Sequence, residues 1–326
     1  MLKTLLTLAA GAAMGALATL PGAAQTFPSR PITVVVPFAA GGPSDAIGRL
    51  VAQSMSQTLG QQVIVENVAG AGGTTGAARV AKADPDGHTL LIHHLALAAG
   101  PALYKGLAYD TRAAFEPLGL VNTGPMAVIS RKDFPAKTAK DLFAHLKQKG
   151  AEVNIAHAGV GSNSHICGVM LGQAVGFKPT FVSYRGTGPA MNDVVGGQVD
   201  VLCDQSTTAV PQIDAGAVIG HVVTSNERLA VIKNVPTSAE AGLPALDMTI
   251  WHGLYAPAGT PKDRVATLHA ALQKAIADPT IVERFAAVGT QVYPQAERSI
   301  EAHRKRFMAE IDRIAELMKA AGVAAN

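Results

Sequence analysis

The stretch "PITVVVPFAAGGPSDAIGRLVAQSMSQTLG" at residues 31–60 constrains the fold more than any other part of the chain. Ile32 to Val36 is a β-branched run with no polar alternation, which predicts a strand covered on both faces. A glycine turn follows, and then Ile47, Leu50, Val51, Met55 and Leu59 fall on one helical stripe that Gly60 ends. A doubly covered strand that feeds a helix through a tight turn needs a helical layer on each side. The architecture that supplies it is α/β with a parallel sheet.

The same grammar recurs. "QQVIVENVAG" reads as a strand, "TTGAARVAKA" as a short helix, "DPDG" as a turn, and "HTLLIHHLAL" as a third strand. From about Pro125 it restarts with "MAVIS" as a strand, "TAKDLFAHLKQKG" as a helix and "VNIAHAG" as a strand. A helix follows, with Ile166, Val169, Met170 and Ala174 as its buried stripe and Gly176 as its stop. "PTFVSYRG", "GPAMNDVVGG" and "VDVLCDQ" then read as strand, helix and strand, so the second half has a core of its own. After "GHVVTS" the segments "NVPTSAEAGLPALD" and "MTIWHGLYAPAGTP" read as loop-rich. A helix then starts with Thr260 as cap and Pro261 in its first turn, with Val265, Leu268, Leu272 and Ile276 as its stripe. A last amphipathic helix carries Ile300, Phe307, Ile311, Ile314 and Met318 and ends near Gly322. At 326 residues the chain has room for two such units.

The N-terminus "MLKTLLTLAAGAAMGALATLPGAAQ" has one early lysine, an uncharged run and small residues before Gln25, the pattern of a secretory signal peptide over residues 1–24 cut near Ala24. A membrane anchor is the competing expectation, since the run approaches the roughly 20 residues that a span needs. No later stretch is apolar enough to cross a membrane. The 27 basic and 24 acidic residues leave a net charge of +3, too small and too scattered for a nucleic-acid footprint, and "HRKRF" at 303–307 reads as the solvated face of the last helix. Cys167 and Cys203 suit no zinc motif. Export would let them pair, but both lie in apolar runs and are expected as two separately buried small hydrophobes.

Two loops join a strand end to a helix start: "PFAAGGPSDAIG" and "AHAGVGSNSHICG". In open α/β sheets such loops bind ligands, because free N–H groups and the positive helix end face an anion. Neither loop has the lysine of a P-loop or the spacing GxGxxG. The order Gly161-Ser162-Asn163-Ser164-His165 is not the GxSxG of a serine hydrolase, although His94 and Asp204 are conceivable partners for a serine. His93 and His94, adjacent at a strand end, are expected on opposite faces, and no metal site emerges. A carboxylate held by backbone amides and hydroxyls fits best. Gly41 and Gly42 would present N–H groups, Ser44 would cap its helix, Asp45 would face either the ligand or the helix dipole, and Ser162, Asn163 and Ser164 would act from the other side. Whether His165 touches ligand or packs behind the helix start stays open.

The string from "RPITVVVPFAAGGPSDAIGR" through "DPDGHTLLI", "AHAGVGSNSHICG", "YRGTGPAMNDVVGGQVDVLCD", "VPTSAEAGLP" and "WHGLYAPAGTP" resembles the Bug family, the periplasmic solute-binding receptors of tripartite tricarboxylate transporters. The resemblance covers nearly the whole chain after the leader. It implies a two-lobed, Venus-flytrap periplasmic binding protein of type II, each lobe a mainly parallel sheet flanked by helices. Residues 25–124 plus 249–326 would form lobe 1 and residues 125–248 lobe 2. It implies ligand contacts from Phe38 to Asp45 in one lobe and from Gly159, Gly161, Ser162, Asn163, Ser164 and His165 in the other. Tyr184, Arg185 and Gly186 match a family turn, with Arg185 either selecting a second carboxylate or staying in solvent, and Asp204 matches an acidic residue that often reaches the ligand. Where relatives carry small hydroxyl residues this chain has His93 and His94. The implied function is capture of a mono- or dicarboxylate, aromatic if the His pair and Tyr184 line the site, and its delivery to a two-component integral membrane permease. The chain is then a monomer that needs no cofactor, metal or chemical step. An exported serine hydrolase and a ligand-sensing subunit of a signalling system are the alternatives.

Overall fold

The structure, a computed structural model, describes residues 26–320, 322, 323 and 325. The expected signal peptide and its cut near Ala24 lie outside the described residues. In chain order the strands are β1 (Ile32–Val36), β2 (Val63–Asn67), β3 (Thr89–His94), β4 (Phe115–Arg131), β5 (Asn154–His157), β6 (Thr180–Ser183), β7 (Val201–Gln205), β8 (Val218–Val223), β9 (Thr249–Pro257) and β10 (Gln291–Val292). The helices are α1 (Pro43–Leu59), α2 (Thr74–Ala81), α3 (Ala96–Leu103), α4 (Ala139–Lys149), α5 (Asn163–Val175), α6 (Thr187–Val195), α7 (Ser206–Asp214), α8 (Lys262–Ile276), α9 (Pro279–Ala286) and α10 (Ile300–Ala320).

The strands form a mixed sheet in the order β2-β1-β3-β9-β4-β7-β5-β6, with β8 and β10 also on β4. Pairing is parallel within β2-β1-β3 and within β7-β5-β6, the two α/β units read from the sequence. Between them β9 and β4 run antiparallel to their neighbours. β4 is the strand shared by both lobes: Phe115 to Pro125 pairs with β9, and Met126 to Ser130 pairs with β7. Breaks in register beside Gly119 and between Leu120 and Asn122 let so long a strand bend.

β9 departs from the loop expected over "MTIWHGLYAPAGTP". Every residue from Ile250 to Pro257 is buried, and the strand is bonded on both edges, so tertiary pairing overrides the glycine and proline that made it look irregular. One cluster of apolar side chains, including Leu91, Leu120, Met126, Ile155 and Cys203, continues from one lobe into the other. A second, with Val34, Ile47, Leu254 and Leu268, fills lobe 1, and a third, with Ile129, Val194, Leu202 and Val223, fills lobe 2.

Three local expectations are corrected. Cys167 and Cys203 are bonded to each other, joining α5 to β7. In α5 Cys167, Leu171 and Val175, spaced one turn apart, face inward with Ile166, while Val169, Met170 and Ala174 are only partly covered. Thr260 does not cap α8: Pro261 holds that position, and the Thr260 hydroxyl turns back to the carbonyl of Pro257 at 2.8 Å. In α10, Arg304 and Lys305 are exposed as expected, but His303 is buried and its Nδ1 accepts the Gly119 N–H at 3.1 Å. No helix among the described residues is long and apolar enough to cross a membrane.

Candidate functional site

Four helices begin at one place. α1 follows β1, α5 follows β5, α6 follows β6 and α7 follows β7, and the first residues of α1, α5 and α6 and the N-cap of α7, Gln205, line a single cavity between the lobes. Its wall consists of Phe38, Gly42, Pro43, Ser44, Asp45 and His94 from lobe 1, with Met126, Ala158, Ser162, Asn163, Ser164, Thr187, Asp204 and Gln205 opposite. The enclosed volume is about 20 Å³, the room of roughly one water. Among the described residues no Lys or Arg is in the wall. Positive potential comes instead from the helix starts, each equivalent to roughly half a unit charge.

The first loop is organised from within. Gly42 is the N-cap of α1 and Pro43, which has no N–H to lose, takes the first helical position. Gly41, at φ 82°, donates its N–H to Asp45 Oδ2 at 3.1 Å rather than presenting it to the cavity. Asp45 also accepts from Asn67 Nδ2 at 2.9 Å and Arg49 Nε at 3.1 Å. Burial acts against its ionised form, but the bonds from Arg49, Asn67 and Gly41 outweigh it and hold the carboxyl below its ordinary pKa. Asp45 therefore shapes the loop. Ser44 does not cap; its hydroxyl bonds His252 Nε2 at 3.0 Å.

The second loop keeps more donors free. Ser162 is the N-cap of α5, its hydroxyl accepting from the His165 N–H at 3.3 Å, and it also bonds the Ser164 hydroxyl at 3.1 Å. Ser164 Oγ in turn accepts the Ala158 N–H at 2.9 Å. Among the described residues, the N–H groups of Asn163 and Ser164 have no protein acceptor, as expected of the first helical positions. Both polar atoms of the buried Asn163 side chain are also unpartnered. His165 packs behind the helix start: Nδ1 accepts the Gly161 N–H at 3.3 Å, and the ring lies 4.9 Å from His157 and 5.0 Å from Phe181. Burial, with a smaller contribution from His157, lowers its pKa to about 4. Gly159 likewise donates to His157 Nδ1 at 3.1 Å.

Asp204 is the penultimate residue of β7 and lines the cavity. Oδ2 accepts from Thr208 Oγ1, whereas Oδ1 is buried and unpartnered. Burial pushes its pKa up to about 6, against the Thr208 hydrogen bond and the nearby Gln205 N–H and Thr187 hydroxyl, which favour the ionised form. Gln205 Oε1, next along the wall, is unpartnered too.

The histidine pair divides. His94 lines the cavity and stacks on Phe38 with ring centroids 4.8 Å apart. His93 sits behind, where a Cβ on Gly73 would lie 2.8 Å from its Nε2. The rings are not on opposite faces as expected, but edge to face at 4.9 Å. The strand ends at His94, whose N–H turns to His93 Nδ1 at 2.8 Å, so strand alternation no longer applies. Burial lowers His93 and His252 to about 3 and leaves His94 well below its ordinary range, all neutral at pH 7. Ser44 and His252 form a serine–histidine contact, but His252 Nδ1 has no carboxylate to orient it. Among the described residues no group of three or more metal-ligating side chains comes together.

Tyr184, Arg185 and Gly186 are not brought to the cavity. Tyr184 donates to Asp193 at 2.6 Å, and Arg185 is exposed beside Gly159, Val160 and Tyr104 on a surface depression across the lobes. Their backbone closes the cleft: the Ala39 N–H bonds the Arg185 carbonyl at 3.0 Å, and a Cβ on Gly186 would lie 2.8 Å from Ala39 N. Tyr104 adds an interlobe bond to the Val160 carbonyl at 2.7 Å. Thr187 and Gln205, which line the cavity, escaped the sequence reading. The rule that singled out the first two loops, a strand end feeding a helix start, applies equally to theirs.

Comparison with known proteins places this geometry in context. Residues 47–323 match the model of the tripartite tricarboxylate transporter family receptor. A protein of Agrobacterium vitis, known from an intergenic region beside ttuE, is 46% identical over 306 residues, covering 93% of this chain and 88% of that one. The periplasmic binding protein BugD superposes with a TM-score of 0.89 at 43% identity over 92% of this chain and all of its own. MatC of Rhodopseudomonas palustris, solved with bound malate, superposes with a TM-score of 0.86 at 41% identity over 89% of this chain and 99% of its own.

Proposed function

Because the chain belongs to the tripartite tricarboxylate transporter receptor family, we propose that it is a periplasmic solute-binding protein that captures a small organic carboxylate between its lobes. The convergence of four helix starts on a buried wall without a basic side chain carries this reading. Such a wall stabilises an anion through fixed N–H dipoles that cost no reorganisation when the ligand arrives. The N–H groups of Asn163 and Ser164 would take one carboxylate, with Ser44 and Gly42 approaching from lobe 1.

A space of about 20 Å³ is smaller than any such acid, so binding requires the lobes to part and reclose. We take residues 25–124 plus 249–326 and residues 125–248 as the moving units, joined through β4 near Pro125 and through the segment before Thr249. Closure is favoured only if both lobes contact the ligand. Among the candidates a small aliphatic acid is favoured over an aromatic one by the malate bound to MatC. Export by the leader at residues 1–24 and delivery to a two-component membrane permease complete the proposal. Binding without chemistry is supported by His165, whose Nδ1 is used by Gly161, and by His252, which has no orienting acid.

Calorimetry and thermal shift against aliphatic and aromatic acids, with sugars and amines as controls, test the proposal. A ligand at a hundredfold excess over its Kd adds about 2.7 kcal/mol of stability. Binding of sugars or amines alone, or ester turnover abolished by Ser44→Ala, would sink it.

A further inference from the structure

Resting on the binding function proposed above, the cavity wall also limits what the bound acid must carry. Its polar groups divide into donors and acceptors. The helix starts offer N–H groups to an anion, while Asp204 Oδ1, Gln205 Oε1 and Asn163 Oδ1 are buried acceptors with no donor. Leaving such an acceptor buried and unpaired costs about 1–3 kcal/mol, more when it is charged.

Asp204 is not free to turn away and satisfy itself. Its other oxygen is held by Thr208, one helical turn on. Its backbone is paired with Ala127 in the ladder between β4 and β7, and the preceding residue, Cys203, is bonded to Cys167. Among the described residues the wall offers no Lys or Arg to neutralise it. A ligand presenting only bare carboxylates would leave Oδ1 facing either nothing or a like charge.

We propose that Asp204 determines specificity by reading a hydrogen-bond donor, a hydroxyl or an ammonium, carried on the carbon next to the carboxylate that the helix starts hold. A carboxyl raised to about 6 is mostly ionised at pH 7.5, which suits an acceptor role. Hydroxy or amino acids are then the ligand class, and the matching unsubstituted acids bind weakly.

The test is calorimetry at pH 7.5 on the full-length mature protein, with lactate against propionate, malate and aspartate against succinate, and citrate against tricarballylate. The wild type is expected to prefer the donor-bearing member of the pair that fits by at least tenfold, and malate against aspartate tells hydroxyl from ammonium. Asp204→Ala is expected to bring that ratio within about threefold of unity by weakening the donor-bearing acid and tightening the unsubstituted one, which no longer meets a like charge, an effect that general loosening of the site would not produce. Asp204→Asn, which keeps an oxygen acceptor but no charge, should lose an ammonium preference and keep part of a hydroxyl preference. Equal or tighter binding of the unsubstituted acid by the wild type, or an unchanged ratio in Asp204→Ala variants with native circular dichroism, overturns the inference and leaves the binding function standing. Failure of every carboxylate to bind overturns both.

Discussion

Reduction of the Cys167–Cys203 bond should weaken the protein by a calculable amount. The two cysteines are 36 residues apart, and the chain-entropy relation for a loop of that length gives about 13 cal/mol/K, or about 4 kcal/mol at 25 °C. Total stabilities run at about 5–15 kcal/mol, so this is a large share. Reduction leaves both thiols in place and the surrounding packing nearly intact, so the loop contribution is isolated from any cavity cost. Urea unfolding followed by Trp251, the sole tryptophan and a buried one, reads the change directly. With a slope of about 3 kcal/mol/M the midpoint should fall by about 1.3 M. Ligand affinity should fall as well: Cys203 adjoins Asp204, and Cys167 stands one helical turn beyond Asn163, so the bond fixes both walls of lobe 2 relative to each other. If thiol titration shows the bond open and the midpoint moves by less than about 0.3 M, loop constraint is not what the disulfide contributes.

Gly72→Ala should fold but fail to close, because Gly72 sits at φ 62° and a Cβ there would overlap the Val160 carbonyl of the other lobe; small-angle scattering should show no ligand-induced compaction. A normal decrease in radius of gyration on ligand addition would contradict that placement. Asn163→Ala removes a buried amide with no protein partner, so the ligand-free protein should gain about 1 kcal/mol in urea unfolding while ligand affinity drops about tenfold; a destabilised protein of normal affinity would show the amide to be structural. Asp204 is raised from 3.8 to about 6 on folding, so its contribution is fully favourable below pH 4 and is lost as pH climbs through 6. Asp204→Asn should therefore exceed the wild type in stability by up to about 3 kcal/mol at pH 7.5, with the gap closing near pH 4; a gap independent of pH in melting curves would refute the assigned ionisation.

Much of this was legible from local pattern. The Ile32 to Val36 run, the stripe of α1 and the left-handed turn at Gly60 are set by neighbours in sequence, and they stand where they were expected. β9 was not, because its stability lies in ladders with β3 and β4, partners more than a hundred residues away along the chain. The disulfide escaped for a similar reason: apolar flanks say that a cysteine is buried but not what it meets. At the cavity, the loops carrying Gly42 and Ser162 to Ser164 were found because a strand end feeding a helix start has a visible signature. What each side chain does there was less visible. Asp45 and Gly41 satisfy each other, Ser44 turns to His252, and Arg185 contributes its carbonyl instead of its charge. Each outcome depends on a partner supplied by another element, which spacing alone does not reveal.

A crystal structure of the protein with the tightest-binding acid from the calorimetric panel tests the central claim most directly. A ligand carboxylate within hydrogen-bond distance of the N–H groups of Asn163 and Ser164, enclosed by the starts of α1, α6 and α7, is the expected result. A carboxylate paired with Arg185 at the rim, leaving those N–H groups without a ligand, would contradict it.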